Sequence, residues 1–292
     1  MNYRPSPPLI LLRRFFRSIQ GNGLWGALAH AWLRLYQSLR NHGLSGTLER
    51  AFLKAPNAPA ASEAQLPPPS FDITHGTETA GIVSSAKLEA VSLSALYATG
   101  YLGSPPSTLR QALATLPIRH EEFSFVDIGC GKGRALLVAA ELPFRHLYGV
   151  EIAVELARTA MANVSLRPDW KERISVTNQD AAKFSFPDGP LVLYFYNPFF
   201  NRILRRVLKN LERELRRLPR AVFLIFGDIY RDEANDGATH STFHRYRNVM
   251  AAMPCFSEVS DAHYRLSAEE AAQEPSRCNV SRFVVYSANV RC

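Results

Sequence analysis

The chain has 292 residues, of which 47% are hydrophobic and 21% charged, as is ordinary for a soluble globular protein. Its length suggests one large domain, or one domain with an appendage. No run approaches the length of uncharged apolar residues that a membrane-spanning helix needs, and the four cysteines lack C-x-x-C spacing. We therefore expect no spanning helix, no zinc site and no disulfide framework, and a cytoplasmic location.

The net charge of +8 is concentrated at the N-terminus, because residues 1–54 hold eight basic residues and one acid. Within this segment "GLWGALAHAWL" (23–33) realigns on "GLSGTLERAFL" (43–53), and apolar residues at helical spacing give each copy one apolar face. We predict a basic amphipathic helical appendage over residues 1–54. Its helices either pack on each other or on the main domain, or bind an anionic membrane surface or a protein, with nucleic acid less favoured. A peripheral membrane position is the alternative to a freely diffusing one.

A linker is predicted over residues 55–70, "APNAPAASEAQLPPPS", because this composition gives an extended chain and not a packed element. The main domain is then expected over residues 71–292. From about residue 120 this domain alternates apolar, strand-like runs with amphipathic helical segments. The alternation predicts crossover units and a parallel sheet, in which ligands bind at the carboxyl ends of the strands.

The stretch "FVDIGCGKGR" begins at residue 125 and contains one acid and three glycines, Asp127, Gly129, Gly131 and Gly133. A phosphate-binding P-loop is excluded, because Lys132 is followed by glycine and not by a hydroxyl residue. A dinucleotide fingerprint fits only in part, because its third glycine position holds Arg134. A glycine-rich turn without a ligand is a further alternative.

The full pattern, acid-x-G-x-G-x-G, resembles motif I of the class I S-adenosyl-L-methionine (SAM)-dependent methyltransferases. The resemblance implies SAM as the cofactor and an α/β fold. That fold is a Rossmann-like, doubly wound, mostly parallel seven-stranded sheet with an antiparallel last strand, here preceded by the helical basic appendage. The glycines would let the backbone approach the ligand, and the following helix N-terminus would suit the methionyl carboxylate. Asp127, near the strand end, would hold the ammonium group of the ligand.

Two further acids follow later strands. Glu151 ends "LYGVE", and an acid at the tip of the second strand can accept hydrogen bonds from both ribose hydroxyls. Asp180 and Ala181 follow the third strand, where enzymes of the resembled class hold the adenine amino group by an acid and a backbone N–H. The alternative for both acids is a solvated position at a strand end or turn.

The fourth strand ends in "YFYNPFF", whose N-P-F-F resembles the [DNS]-P-P-[YFW] motif of amino-methyltransferases. Asn197, Pro198 and Phe199 are the predicted catalytic residues. The resemblance implies that the carboxamide and the following carbonyl accept hydrogen bonds from a substrate amine, while the aromatic packs on the nitrogen. Phe199 stands where the motif has its second proline, and a plain turn with two core phenylalanines is the alternative.

A polar, glycine-flanked loop, "FDITHGTETAG", precedes the first strand at residues 71–81. It is predicted to fold over the ligand as a lid, with Thr77 and Thr79 donating their hydroxyls. Together with the motifs above, this arrangement resembles a group of uncharacterised bacterial class I methyltransferases and, more distantly, seven-strand protein-lysine methyltransferases.

These residues predict a methyltransferase that moves a methyl group to an acceptor nitrogen, with a protein lysine favoured over a small amine or a nucleobase. No metal is expected in the site. The rival hypothesis is a non-catalytic adaptor, bound to a membrane or a partner, that retains a degenerate SAM-binding fold. The basic repeat favours some attachment, whereas the intact glycines and acids argue against degeneracy.

Overall fold

A computed structural model of the chain describes residues 69–83, 90–229, 242–273 and 279–288. The predicted basic appendage and nearly all of the predicted linker lie outside the described residues, so the boundary between appendage and main domain stays a prediction. The residues from Pro69 onward form one compact unit.

A seven-stranded sheet forms the centre of this unit. Two short strands precede it and pair antiparallel with each other, β1 (Ile82–Val83) and β2 (Tyr101–Leu102). The sheet itself consists of β3 (Ser124–Ile128), β4 (Leu147–Glu151), β5 (Ile174–Asn178), β6 (Leu191–Tyr196), β7 (Val222–Ile229), β8 (Phe256–Arg265) and β9 (Val280–Ala288). Their order is β5-β4-β3-β6-β7-β9-β8, with β3 to β7 parallel and β9 antiparallel to both of its neighbours. The predicted doubly wound, mostly parallel sheet with an antiparallel last strand is confirmed.

Helices cover both faces of the sheet. They are α1 (Ser70–His75), α2 (Pro106–Ala114), α3 (Arg134–Ala140), α4 (Val154–Ser165), α5 (Asn201–Arg217), α6 (Thr242–Met250) and α7 (Ala268–Gln273). Buried residues of α2, α3 and α4 join the apolar layer on one face, and those of α5 and α6 join the layer on the other. Within the described part of the chain, no helix is both long enough and apolar enough to span a bilayer.

The central strand β6 shows why the sequence produces two apolar layers. Leu193 and Phe195 belong to the layer under α5 and α6, whereas Val192 and Tyr194 belong to the opposite layer. Successive side chains of a strand point to opposite faces, so a run of apolar residues fits a strand that is covered on both sides. This double covering leaves the carboxyl ends of β3 to β6 as the edge where polar groups collect.

Residues 90–104, which we call the crossing segment, run across that carboxyl edge before the chain enters the sheet. The N–H of Val91 donates to the carbonyl of Ile152, just past β4. Further along, the N–H of Thr99 donates to the carbonyl of Pro198, just past β6. The segment is therefore tied to the ends of two strands that flank β3 and lies beside the glycine-rich loop.

Candidate functional site

A cleft opens at the carboxyl edge of the sheet, and the space between its walls, open solvent included, is about 810 Å³. Eight of the residues predicted from the sequence line it: Asp127, Gly129, Gly131, Glu151, Asp180, Ala181, Pro198 and Phe199. Four others do not line it: Thr77, Thr79, Gly133 and Asn197. The edge of the sheet thus brings together residues that are up to 72 positions apart in the chain.

The glycines of the loop after β3 are required by protein neighbours as well as by backbone conformation. Gly129 and Gly131 have φ of 87° and 55°, in the left-handed region that side chains disfavour. A Cβ at Gly129 would lie 2.4 Å from the Cβ of Pro198, and one at Gly131 would lie 2.3 Å from the ring of Tyr101. The close approach that the sequence predicted for a ligand is made, in this structure, by two protein side chains.

Glu151 joins the tip of β4 to the glycine loop. Its Oε2 accepts a hydrogen bond from the N–H of Gly131 at 2.8 Å, and its Oε1 accepts one from Ala153 at 2.8 Å. Burial raises the pKa of this carboxyl, although the backbone donors partly oppose the change. Each carboxylate oxygen can accept a second hydrogen bond, so Glu151 retains capacity for a ligand in the cleft it lines.

Asp127 is a buried acid at the carboxyl end of β3. Only 3% of the residue is exposed, and its carboxylate accepts no hydrogen bond from the residues that the structure describes. Burial, and secondarily the nearby charge of Glu151, raise the pKa of Asp127 well above its usual range. Since it lines the cleft, this carboxyl is available to a cationic or donor group of a ligand.

Asp180 is held by the crossing segment. Its Oδ2 accepts hydrogen bonds from the hydroxyls of Ser92 and Ser94 at 2.8 and 2.6 Å, and its Oδ1 accepts one from the N–H of Ala182 at 2.9 Å. Burial alone would raise the pKa of Asp180, but these hydrogen bonds outweigh it and the pKa lies below its usual value. The two serines were missed by sequence reasoning, because no motif links them to an acid almost ninety positions later.

Asn197 lies just outside the cleft, in a conformation unusual for a residue with a side chain. Its φ is 49°, and its Oδ1 accepts a hydrogen bond from Nη2 of Arg245 at 3.0 Å. The hydroxyl of Thr99 donates to the carbonyl of Asn197, and the N–H of Thr99 donates to that of Pro198. The two acceptors assigned to a substrate amine are therefore both bonded to protein groups here, whereas Pro198 and Phe199 do reach the cleft.

The two threonines predicted for a lid bind another protein side chain. The hydroxyls of Thr77 and Thr79 donate to Oδ1 of Asp72 at 2.8 and 2.6 Å, and Thr79 is fully buried. Sequence reasoning treated these hydroxyls as free donors and missed Asp72, five and seven residues earlier. The loop therefore acts here as a packed support beside the cleft, without lining it.

Two further residues missed as site components stand next to the glycine loop. The ring of Tyr101 lies over Gly131, and its hydroxyl donates to the carbonyl of Thr79. Arg134, which the sequence analysis used only against a dinucleotide fingerprint, lines the cleft and is 4% exposed. The position of an arginine directly after a glycine-rich loop is a signal that was available in the sequence.

Residues 125–218, from β3 through α5 and the residue after it, match a family described as a methyltransferase domain. Over this region the chain is similar to a methyltransferase domain. The match confirms the predicted resemblance to class I methyltransferases and supports SAM as the cofactor. No curated relative matches the chain.

Solved structures similar to this chain share little sequence with it. An S-adenosylmethionine-dependent methyltransferase from Mesorhizobium loti is 14% identical, covering 63% of this chain and 98% of its own, with a TM-score of 0.44. The glycopeptide N-methyltransferase MtfA with sinefungin is 10% identical, covering 64% and 88%, with a TM-score of 0.46. The geranyl diphosphate C-methyltransferase from Streptomyces coelicolor is 16% identical, covering 63% and 77%, with a TM-score of 0.42. None of them carries an inference about the acceptor.

The cleft at the carboxyl edge of the sheet fits the chemical groups of SAM. An unpartnered buried acid, Asp127, suits an ammonium group, and Glu151 has the acceptor capacity that a ribose diol requires. Among the described residues, no group of three or more His, Cys, Asp or Glu side chains is placed to hold a metal ion.

Proposed function

We propose that the chain is a SAM-dependent methyltransferase whose cofactor occupies the cleft beside the glycine loop. The observation that carries the proposal is the pair of buried acids, Asp127 and Glu151, at the ends of adjacent parallel strands. A carboxylate is costly to bury without compensation, so Asp127 favours a ligand that supplies a donor. Glu151 already accepts two backbone hydrogen bonds and has lone pairs left for further donors of the same ligand. SAM carries an ammonium group and a ribose diol, which are donors of this kind.

Each side chain then has a specific role in binding. Glu151 accepts hydrogen bonds from the ribose hydroxyls while it keeps its bonds to Gly131 and Ala153. Asp127 pairs with the ammonium group. The adenine ring lies towards Ala181, beside Asp180, whose position is fixed by the serines of the crossing segment.

When bound, SAM supplies an activated methyl group on a sulfonium centre, so the protein mainly orients the two reactants. Proximity and orientation of this kind contribute roughly 7–11 kcal/mol to lowering a barrier. Pro198 and Phe199 line the cleft at the end of β6, and their apolar surfaces exclude water from one side of it. We place the entry of the acceptor at this end of β6.

The acceptor that we propose is a nitrogen, with a protein lysine ahead of a small amine or a nucleobase. The support is the N-P-F sequence at the end of β6, together with the position of Phe199 in the cleft. Binding an amine at Asn197 requires its Oδ1 either to use its second lone pair or to exchange the hydrogen bond from Arg245. Phe199 would then favour the developing positive charge on the nitrogen.

The proposal is tested by binding and then by turnover. Calorimetry with SAM and S-adenosylhomocysteine separates an enzyme from a degenerate adaptor, since the adaptor is expected to bind neither. Transfer of a tritiated methyl group into cell lysate, fractionated into protein, RNA and small molecules, then identifies the class of acceptor. Label in lysine side chains supports the proposed acceptor; label confined to RNA or to oxygen or carbon atoms contradicts it.

A further inference from the structure

Arg134 is a buried cation whose outer nitrogens have no partners among the described residues. Its Nε donates to the hydroxyl oxygen of Thr79 at 2.7 Å, and the residue is 4% exposed. Across the described residues, neither Nη1 nor Nη2 donates to any acceptor, and no carboxylate lies within ion-pair distance of the guanidinium. Buried charges are normally paired, so a guanidinium that donates only through Nε to the described residues requires an explanation.

The orientation of the guanidinium is set by a chain of two hydrogen bonds. The hydroxyl of Thr79 has one proton, and it donates that proton to Oδ1 of Asp72 at 2.6 Å. Its lone pair is therefore directed to Nε of Arg134. The N–H of Thr79 also donates to Asp72, at 2.9 Å, and Tyr101 bonds to the carbonyl of Thr79. The arginine is thus fixed through Nε, which leaves its outer edge for another group.

Arg134 is a lining residue of the same cleft as the two buried acids. Arg134 lines the cleft together with Asp127 and Gly103. A Cβ added at Gly103 would lie 2.9 Å from Cζ of Arg134, so the glycine provides the space in which the guanidinium lies. The same arginine also borders a smaller pocket behind the cleft.

We propose that Arg134 is the anchor for the α-carboxylate of the cofactor, with Nη1 and Nη2 donating to its two oxygens. The inference rests on the proposed function and assigns the amino-acid end of the ligand to a pair of opposite charges. Asp127 takes the ammonium group and Arg134 the carboxylate. A guanidinium fork matches a carboxylate in a bidentate arrangement, which a lysine does not reproduce. Asp72 and Thr79 are positioning residues that act through Arg134.

The test compares ligands that differ only at the amino-acid end. S-adenosylhomocysteine has the carboxylate, its decarboxylated analogue keeps the amine alone, and 5′-methylthioadenosine lacks both. For Arg134→Gln we expect the affinity for S-adenosylhomocysteine to fall roughly ten- to hundredfold, as for the loss of hydrogen bonds to a charged group. Affinities for the decarboxylated analogue and for 5′-methylthioadenosine should change less than about twofold. Arg110→Gln, which removes an exposed arginine paired with Glu141, is the matched control.

The positioning chain has its own matched pair of variants. Thr79→Ser keeps a hydroxyl and should retain the affinity for S-adenosylhomocysteine, whereas Thr79→Val should lower it without affecting 5′-methylthioadenosine. Equal losses for all three ligands would assign Arg134 a structural role and overturn the proposal. Should Arg134→Gln fail to fold, the wild-type chain decides, because removal of the ligand carboxylate must cost it a similar factor. A wild-type chain that binds none of the ligands overturns the proposed function and this assignment together. Equal affinities of the wild-type chain and of Arg134→Gln for S-adenosylhomocysteine overturn the assignment alone.

Discussion

The carboxylate of Glu151 accepts a hydrogen bond from the N–H of Gly131 at 2.8 Å, so a strand tip and the glycine loop of the neighbouring strand hold each other in place. The loop is therefore shaped by the same acid that we assign to the ribose. Changes at Glu151 should consequently affect both the binding of the ligand and the order of the loop.

In Glu151→Gln, an amide NH₂ group replaces one of the two carboxylate oxygens. Either Gly131 or Ala153 therefore loses the acceptor for its backbone N–H. We expect SAM binding to weaken by about 1–3 kcal/mol and the melting temperature to fall as well. Calorimetry and thermal unfolding measure the two effects. Glu155→Gln, at an exposed position four residues later in α4, is the control and should change neither. Unchanged SAM affinity in Glu151→Gln would remove this acid from the ribose site.

Asp127 predicts a pH dependence whose sign follows from its raised pKa. The free protein retains a proton on this carboxyl at pH values where the unfolded chain has lost it, so its contribution to stability is lost as pH rises through that range. An ammonium ligand favours the ionised form, so binding should release a proton and strengthen as pH rises towards the raised pKa. Calorimetry in two buffers of different ionisation enthalpy counts that proton. Absence of proton release across the acidic range would contradict the pairing.

The variant Asp127→Asn should separate stability from binding. It removes a buried carboxyl without a partner, so we expect the free protein to gain roughly 0.5–2 kcal/mol of stability at neutral pH. The same variant should lose proton release and bind SAM more weakly. Denaturant unfolding and calorimetry on one preparation test both expectations, and a destabilised variant would show that Asp127 is satisfied in a way the structure does not reveal.

Gly131 tests the packing of the crossing segment on the loop. Gly131→Ala places a methyl group where the ring of Tyr101 now lies and imposes a left-handed φ on a residue with a Cβ. We expect a loss of stability above the roughly 1–2 kcal/mol that the backbone conformation alone costs. Tyr101→Leu should reduce that loss when it is combined with Gly131→Ala, which a double-mutant cycle of melting temperatures measures. Additive effects would mean that the ring moves away freely.

Asn197 offers a way to separate catalysis from backbone strain. The φ of Asn197 is 49°, which glycine adopts without strain. Asn197→Gly therefore preserves the backbone conformation and removes the carboxamide. If the carboxamide orients the acceptor, kcat and kcat/KM should fall together by about 10²–10³, by analogy with the loss of one oxyanion-hole donor. SAM affinity should be unchanged, and Asn197→Asp should keep part of the activity. A stable Asn197→Gly enzyme with full turnover would sink the amino-methyltransferase assignment.

The N-terminal appendage gives a prediction that concerns attachment. A chain that starts near Ser70 should fold and bind SAM with unchanged affinity, because the residues from Pro69 onward form one compact unit. If the appendage binds an anionic membrane, the full chain should co-sediment with anionic liposomes at low salt, and raised salt should release it. If the full chain does not co-sediment with anionic liposomes at low salt, the remaining roles for the appendage are packing and binding of a protein partner.

The sequence was sufficient to predict the sheet and the position of the cleft, because both depend on local patterns. Apolar runs indicated β3 to β7, and the glycine spacing after Asp127 indicated the loop. The contacts of the crossing segment were not predictable in this way, since Ser92 meets Asp180 only after three strands have been placed side by side. The sequence pattern of a polar loop residue is the same whether its side chain faces a ligand or a buried acid. For that reason Thr79 was predicted to contact a ligand, although its hydroxyl donates to Asp72.

The crossing segment also bears on how the proposed methyltransferase would exchange its ligand between cycles. It is bonded to the carbonyls of Ile152 and Pro198 and to the carboxylate of Asp180, so the rim of the cleft is fastened to the ends of three strands. Product would leave either through the open side of the cleft or after several of these hydrogen bonds have broken together, and we expect the second route to be the slower one. Slow dissociation of S-adenosylhomocysteine would then limit kcat, even when the equilibrium affinity for this product is modest. Loosening the rim, for example with Ser92→Ala, should accordingly quicken release more than it alters binding.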